Sequence, residues 1–89
     1  MGASFQVEIL SPDGKICQTT AQSLVAPAAL GYMGILANHA PIITSLVPGN
    51  ITVRSADGAA LSFRSMGGGF MEVSRNKVVL LVDRMEPAE

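Results

Sequence analysis

The sequence lacks the features of several common protein classes. Its 89 residues contain one cysteine, no tryptophan and only 4% aromatic residues. The lone Cys17 has no partner for an internal disulfide, so the sequence favours a reducing compartment over a cross-linked secreted scaffold. No apolar run approaches the roughly 20 residues that cross a bilayer, and the N-terminus lacks the basic and apolar regions of a signal peptide. Direct membrane insertion is therefore not expected.

Clustered positive charge is also missing. The six Lys and Arg residues are scattered along the chain, and the formal net charge is −1. A surface that tracks phosphates needs grouped cations, and binders of single-stranded nucleic acid also need stacking aromatic side chains. Nucleic acid is therefore not an expected partner.

Short strands separated by turn residues make up most of the chain. Phe5, Val7 and Ile9 alternate with other residues, which is typical of a half-buried strand. Residues 11–14 (SPDG) and 56–58 (ADG) predict two hairpin turns, because Pro presets a turn dihedral and Gly accepts positive φ. Eight or nine such strands, at spacings of roughly 8 to 12 residues, predict an all-β sandwich or barrel with no long helix.

Other segments carry more specific predictions. Residues 15–25 are predicted to form a longer strand with a bend, and residues 26–30 a loop, since a proline and a following glycine leave too few positions for a helix. A turn is expected at residues 75–76. Residues 78–82 (VVLLV) do not alternate, which predicts a strand covered on both faces. Residues 1–84 are predicted to form one domain, with residues 85–89 as a short polar tail.

His39, the only histidine, is the first candidate for chemistry, because an imidazole can act as a base or bind a metal. A structural zinc site needs four protein ligands and a catalytic one usually three. One His with one Cys leaves only carboxylates to complete such a site, and no carboxylate pair is placed for acid and base catalysis. A structural or interface role is favoured for His39, with a cupin-like metal-binding sandwich as the alternative.

Three further features have a chemical and a structural interpretation. Residues 67–69 are all glycine, but a phosphate-binding loop leads into a helix and a strand follows here, so a bend or bulge with closely approaching backbones is favoured. Lys15 would lower the pKa of the Cys17 thiol slightly, yet nothing completes a catalytic pair, so a reduced, partly buried thiol is favoured. Lys77 at a hairpin suggests an acyl or biotin carrier, but its neighbours do not match a biotinyl motif, so a solubilising lysine is favoured.

The order of several motifs carries a resemblance to a known family. The segments are residues 5–12 (FQVEILSP), 31–43 (GYMGILANHAPII), 47–49 (VPG), 68–73 (GGFMEV) and 76–82 (NKVVLLV). Together they resemble the N-terminal domain of the epsilon subunit of F-type ATP synthases, over residues 4–83.

The resemblance implies a β-sandwich of two five-stranded sheets. It also implies a non-catalytic rotor component, with no cofactor, metal or catalytic residue of its own, that couples the ring of c subunits to the gamma subunit during ATP synthesis. Such a subunit is peripheral to the energy-transducing membrane, on the cytoplasmic face of a bacterial cell membrane.

The resemblance also implies residue roles at two places. The family's His-Ala-Pro corner is expected to face gamma, and its Gly-x-Leu-Gly turn is expected to face the c-ring loops. The gamma-facing candidates are His39, Ala40, Pro41 and Thr44, and the ring-facing candidates are Gly31, Tyr32, Met33 and Gly34.

This sequence departs from the family pattern in three respects. Tyr32 stands where members often carry an acidic residue, so an aromatic or hydroxyl contact is expected in place of a charged one. Ala37 replaces a frequent Pro. Full-length members continue into two C-terminal helices that can block ATP hydrolysis and in some bacteria bind ATP, whereas this sequence stops at Glu89, so neither property is expected here. Residues 85–87 depart from the usual entry to those helices, which favours a natural end over a trimmed chain.

Overall fold

The structure is a computed structural model that describes residues 3–87. These residues form nine strands and no helix, as predicted from the turn spacing. Accordingly, none of them forms a helix that could span a membrane. The strands are β1 (Phe5–Ser11), β2 (Gly14–Ala28), β3 (Gly31–Leu36), β4 (Ile42–Leu46), β5 (Gly49–Ser55), β6 (Ala60–Ser65), β7 (Gly69–Ser74), β8 (Lys77–Val82) and β9 (Met85–Pro87).

The strands form two five-stranded layers that share β2. Sheet I has the order β3-β2-β5-β6-β9, and sheet II has the order β2-β1-β8-β7-β4. Neighbouring strands are antiparallel except for β1 and β8, which are parallel. A single pairing of Leu46 with Ala28 also joins β4 to β2, at the end of the sandwich where β3 begins. The predicted β-sandwich of two five-stranded sheets is confirmed.

β2 serves both sheets because it bends in the middle. Its first half pairs with β1 as far as Ala21, and its second half pairs with β5 and β3. The register with β5 shifts between Ala21 and Ser23, at the point where the strand passes from one sheet to the other. An extra residue in one strand of an antiparallel pair bends that strand, so the predicted long strand with a bend is confirmed.

The predicted loop at residues 26–30 is wrong for its first three residues, since β2 continues to Ala28. Pro27 is tolerated there because it lies between the end of the β2–β5 pairing at Val25 and the single β2–β4 pairing at Ala28. Its carbonyl accepts a hydrogen bond from the Val47 N–H at 2.9 Å, and the N–H and C=O of one strand residue point to the same side. On that side the pairing of β2 with β5 has ended at Val25, so the missing N–H interrupts no continuous ladder.

The core lies between the inner faces of the two sheets. Alternate residues of each strand point into it, and the aliphatic side chains fill it because the sequence supplies few aromatic ones. Ile9, Leu24, Ile51, Met71 and Leu80 are among the fully buried side chains. Each contributes about 1.5 to 3 kcal/mol relative to an exposed position.

The hairpin turns form where the turn residues predict them. Arg75 and Asn76 have φ of 52° and 60°, the positive pair that a type I′ turn between β7 and β8 requires. In the β5–β6 turn, the Asp57 carboxylate accepts hydrogen bonds from the Ser55 hydroxyl and, at 3.0 Å, from the Ala59 N–H. The Ser55 hydroxyl above all, and then the Ala59 amide, hold the pKa of Asp57 below its ordinary value.

β8 differs from its prediction, because only one of its faces is covered. Val78, Leu80 and Val82 point into the core, whereas Leu81 is 50% exposed on the outer face. Its backbone is paired on both sides, with β1 and β7, so the strand is central and presents no open edge. What the sequence predicted as a strand with two covered faces is a strand with one covered face and one apolar outer face.

The structure also differs from the predicted tail. Met85–Pro87 forms β9, which pairs with Phe63–Ser65 of β6 and completes sheet I. These residues therefore extend the sandwich, while Ala88 and Glu89 lie outside the described residues.

Candidate interaction surfaces

The outer face of sheet II is apolar. Ile43, Phe70 and Leu81 are 72%, 57% and 50% exposed there. The strand register sets Phe70 opposite Leu81 and Leu81 opposite Leu10, so these three form a row, whereas Ile43 lies opposite Glu72 and is only diagonal to Phe70. We call Leu10, Ile43, Phe70, Val79 and Leu81 the apolar face. Exposed apolar side chains grouped in this way mark a candidate interaction site more strongly than scattered hydrophobic residues do.

Charged residues lie within and beside the apolar face, since Glu72 is exposed between Ile43 and Val79. Glu8 lies opposite Val79 across the β1–β8 pair, and its carboxylate is 3.1 Å from the Lys15 ammonium and 3.8 Å from the Lys77 ammonium. Lys77 is therefore held in an ion-pair cluster at the start of β8. The row of Phe70, Leu81 and Leu10 is thus flanked by charged groups, and an apolar patch with polar surroundings is the usual layout of a protein interface.

The outer face of sheet I is polar over β5 and β6, although Val25 and Leu36 are 40% and 64% exposed on β2 and β3. Its central strands expose Thr52, Arg54, Ser62 and Arg64. Their register places threonine opposite serine across β5 and β6, so hydroxyl and guanidinium groups cover the middle of this face. The middle of sheet I is thus polar, whereas the middle of sheet II exposes Phe70 and Leu81.

The predicted gamma-facing corner lies between β3 and β4. Ala40 and Pro41 are exposed, and His39 is half-buried. Nδ1 of His39 lies 2.7 Å from the carbonyl oxygen of Ala40, which accepts a hydrogen bond when Nδ1 carries the ring proton. Nε2 is then left as an acceptor. We call residues 37–41 the β3–β4 corner.

Thr44 lies on the other side of β4 from the exposed residues. The burial pattern alternates along the strand, with Ile42, Thr44 and Leu46 toward the inside and Ile43 and Ser45 toward the outside. The corner therefore connects to the apolar face through Ile43, and Thr44 is half-buried behind it.

The predicted ring-facing residues lie at the β2–β3 tip. Leu30 at the apex is fully exposed, and Gly31 adopts a φ of 129° that favours glycine. Gly34 is exposed further along the strand, but Met33 packs against the core. The structure thus leaves three of the four candidates accessible and adds Leu30.

Tyr32 is exposed over its ring but not free at its hydroxyl. The hydroxyl oxygen accepts a hydrogen bond from the Asn50 N–H at 3.1 Å. A Cβ on Gly49 would lie 2.8 Å from that oxygen, so glycine makes room for the tyrosine. The ring is therefore held against the start of β5, and its exposed face and hydroxyl proton are what it offers to a partner.

The two predicted surfaces lie at opposite ends of β3. Gly31 pairs with Ala28 at one end, and Leu36, which leads into the β3–β4 corner, pairs with Ser23 at the other. Five residue steps at about 3.3 Å each separate them by about 17 Å. Different partners can therefore bind the two ends at once.

The remaining chemical candidates have structural explanations. Burial raises the pKa of the Cys17 thiol, so the expected lowering by Lys15 is wrong, and the Lys15 ammonium instead bonds Gln18 and Glu8. A Cβ on Gly69 would collide with the Leu81 carbonyl oxygen, as expected for closely approaching backbones. Within residues 3–87, no group of three or more His, Cys, Asp or Glu side chains could hold a metal.

Sequence reasoning missed the apolar face and the apex leucine. Ile43, Phe70 and Leu81 are ordinary core residue types, and a strand's alternation alone does not say which face meets the other sheet. The sequence signal for this face is the continuous apolar run at residues 78–82, because it places apolar side chains on both faces of one strand.

The chain resembles proteins of known type along nearly its whole length. The sequence profile of the family described as ATP synthase, Delta/Epsilon chain, beta-sandwich domain, matches residues 4–88. The ATP synthase epsilon chain of Desulfitobacterium hafniense is 38% identical over 89 residues, and that of Latilactobacillus sakei is 43% identical over 83. These alignments cover 100% and 92% of this chain but 66% and 57% of the relatives, so the chain spans less than two thirds of their length.

Solved structures have the same fold. A chain in the cryo-EM structure of Euglena gracilis mitochondrial ATP synthase matches with a TM-score of 0.88 at 24% identity, over 98% of this chain and 55% of its own length. A chain in the central stalk and c-ring structure of the Tetrahymena thermophila enzyme matches with a TM-score of 0.79 at 15% identity, over 97% of this chain and 68% of its own length.

Proposed function

Because the chain belongs to the β-sandwich domain family of ATP synthase delta and epsilon chains, we propose that it is a central-stalk component of a rotary F-type ATP synthase. In this role it couples the ring of c subunits to the gamma subunit during ATP synthesis and has no active site of its own. It lies peripherally at the energy-transducing membrane, on the cytoplasmic face of a bacterial cell membrane.

The observation that carries the proposal is the apolar face together with the β3–β4 corner. Ala40 and Pro41 are exposed at the corner, and Ile43 continues from them onto sheet II. Exposed apolar side chains grouped on one face suit a partner's surface better than open solvent. We assign this surface to gamma, with His39 and Thr44 behind it as supporting residues.

The β2–β3 tip is assigned to the c-ring loops. Gly31, Tyr32 and Gly34 present an uncharged surface there, with Leu30 at the apex, and Met33 anchors the strand to the core. Because the tip is about 17 Å from the corner along β3, the domain can contact the ring and gamma at the same time. Two packed sheets between these contacts resist shear through their hydrogen bonds and so suit the transmission of torque.

The proposal is tested by mixing the chain with the gamma subunit of the same organism. We expect one co-eluting peak in gel filtration at micromolar concentration. Ala40→Glu is expected to weaken the complex without unfolding the domain, because the side chain is exposed and a buried, unpaired carboxylate at an interface is costly. Ala60→Glu, at an exposed position on the polar sheet, is the matched control.

Two non-interacting peaks for the unsubstituted chain would refute the assignment of gamma as the partner. Equal affinity of the Ala40→Glu variant and the unsubstituted chain would remove the β3–β4 corner from the interface. Circular dichroism of both variants establishes that each is folded.

A further inference from the structure

The Asn76 side chain joins segments that are far apart in sequence. Its Oδ1 accepts a hydrogen bond from the Asn38 N–H at 2.7 Å, and its Nδ2 donates one to the Ser4 carbonyl at 2.7 Å. Its backbone carbonyl also accepts a hydrogen bond from the Gln6 N–H at 3.2 Å. One residue of the β7–β8 turn therefore ties the β3–β4 corner to the segment that leads into β1.

The partners fix the orientation of the amide group. An N–H faces its oxygen and a carbonyl faces its nitrogen, so a flipped amide would set donor against donor and acceptor against acceptor. Asn76 is half-buried, which makes the loss of either bond more costly than at an open surface. The side chain is thus held in one arrangement.

The backbone at this position narrows the choice of residue. The φ of 60° favours glycine and asparagine over other residues. Glycine would keep the turn but lose both side-chain bonds. Aspartate would keep an acceptor for the Asn38 N–H but place an oxygen against the Ser4 carbonyl. Comparing asparagine, glycine and aspartate at position 76 therefore distinguishes the effect of the turn from the effect of each side-chain hydrogen bond.

Apart from its hydrogen bond to Asn76, the β3–β4 corner is held to the sandwich by Ala37, which packs against the core. It belongs to no strand, and Asn38 within it has a φ of 64°. In the described part of the chain, the bond to Asn76 is the one hydrogen bond that joins residues 37–41 to another segment, since the His39 ring bonds the neighbouring Ala40 carbonyl. Without this bond the corner has more conformations available to it.

We propose that Asn76 is a positioning residue that holds the β3–β4 corner in the conformation that receives the gamma subunit. This inference rests on the proposed gamma-binding function. A corner that is already ordered binds without loss of its own conformational entropy. If the corner adopts the binding conformation only part of the time, its apparent affinity is reduced in proportion to the fraction of time spent in that conformation.

The test compares Asn76→Gly with Arg75→Gly, which changes the adjacent left-handed position of the same turn. Arg75 is exposed and has no hydrogen bond or ion pair in the described structure. Hydrogen exchange of the Asn38 amide is measured in the free domain, and the rates of binding to gamma are measured by surface plasmon resonance. For Asn76→Gly we expect at least about tenfold faster exchange at Asn38 and about tenfold weaker affinity, chiefly through a slower association rate. Arg75→Gly is expected to match the unsubstituted chain in both.

Asn76→Asp separates the two bonds. It keeps an acceptor for the Asn38 N–H, so we expect protection of that amide and an affinity within about threefold of the unsubstituted chain. A tenfold loss of affinity in this variant would overturn the inference, because the bond to the corner is still available to it.

Other outcomes distinguish this inference from the proposed function. If the unsubstituted chain does not bind gamma, the proposed function fails and the inference with it. If it binds and Asn76→Gly binds equally well, the inference alone is overturned. It is also overturned if Asn76→Gly leaves the Asn38 amide protected, or if Arg75→Gly weakens binding as much.

Discussion

The loss of affinity on substituting Phe70 is the most direct test of whether the apolar face binds gamma. The side chain stands outward from β7, opposite Leu81 on β8, and is 57% exposed. A phenylalanine side chain presents about 200 Å² when fully exposed, so about 110 Å² is available for burial by a partner. At about 25 cal/mol per Å² this area is worth about 3 kcal/mol. Allowing for the area that alanine still covers, Phe70→Ala should weaken binding by about 2 kcal/mol, or about 30-fold.

The same substitution should leave the fold nearly unchanged. Phe70 contributes little to the core, so we expect the free energy of unfolding to stay within about 0.5 kcal/mol of the original. Val25, which is 40% exposed on the outer face of sheet I, provides the control. Val25→Ala also removes exposed apolar surface, but from the face that we do not assign to gamma, and should not change the affinity.

Isothermal titration calorimetry measures both the affinity for gamma and the heat-capacity change of binding. Burial of apolar surface gives a negative change in heat capacity, which should be smaller in magnitude for Phe70→Ala. Binding should also depend little on salt, since the apolar face carries the contact. A folded Phe70→Ala variant with unchanged affinity would refute the assignment of this face to gamma. An equal loss in Val25→Ala would show that the effect is not specific to the face.

Three further predictions concern stability. Gly69→Ala should destabilise the domain by at least about 2 kcal/mol in urea unfolding, because the new Cβ meets the Leu81 carbonyl oxygen, whereas Gly34→Ala, with open space around it, should be nearly neutral; equal effects would contradict this. Leu80→Ala should cost about 2 to 5 kcal/mol, since the side chain is fully buried, and a cost under about 1 kcal/mol would contradict its position in the core. Because the folded pKa of Asp57 lies below its ordinary value of 3.8, its contribution to stability is present above that pH and is lost as the pH falls through the folded pKa. Asp57→Asn should therefore reduce the fall in melting temperature on acidification below about pH 4; an unchanged slope would contradict this.

The turns could be predicted from the sequence because their residues act locally. Asp57 with Gly58 sets the β5–β6 hairpin, and the β1–β2 hairpin forms between Ser11 and Gly14. The strands between them follow from alternation. Pro27 misled the prediction because a proline suggests a break, whereas the cost depends on which side of the strand its nitrogen faces, and that depends on where β5 ends.

The candidate site was only partly predictable, for a different reason. The β3–β4 corner and the β2–β3 tip came from a resemblance between motifs, and the structure shows that Thr44 and Met33 within those motifs point inward. The hydrogen bond between Asn76 and Asn38 joins residues 38 positions apart, and no local sequence pattern predicts it. Contacts of this kind depend on the packing of the two sheets, which periodicity does not describe.

The contrast between β5 and β8 explains how one small domain can carry an apolar outer face. In β5, apolar Ile51 and Val53 alternate with polar Thr52 and Arg54, as a strand with a solvated outer face requires. β8 places leucine at an outward position instead, yet its backbone is fully paired with β1 and β7. An exposed apolar strand is hazardous chiefly when its edge is open to pairing with another chain. At the centre of sheet II the face offers side chains but no free backbone, so association there requires a partner whose surface fits Phe70 and Leu81.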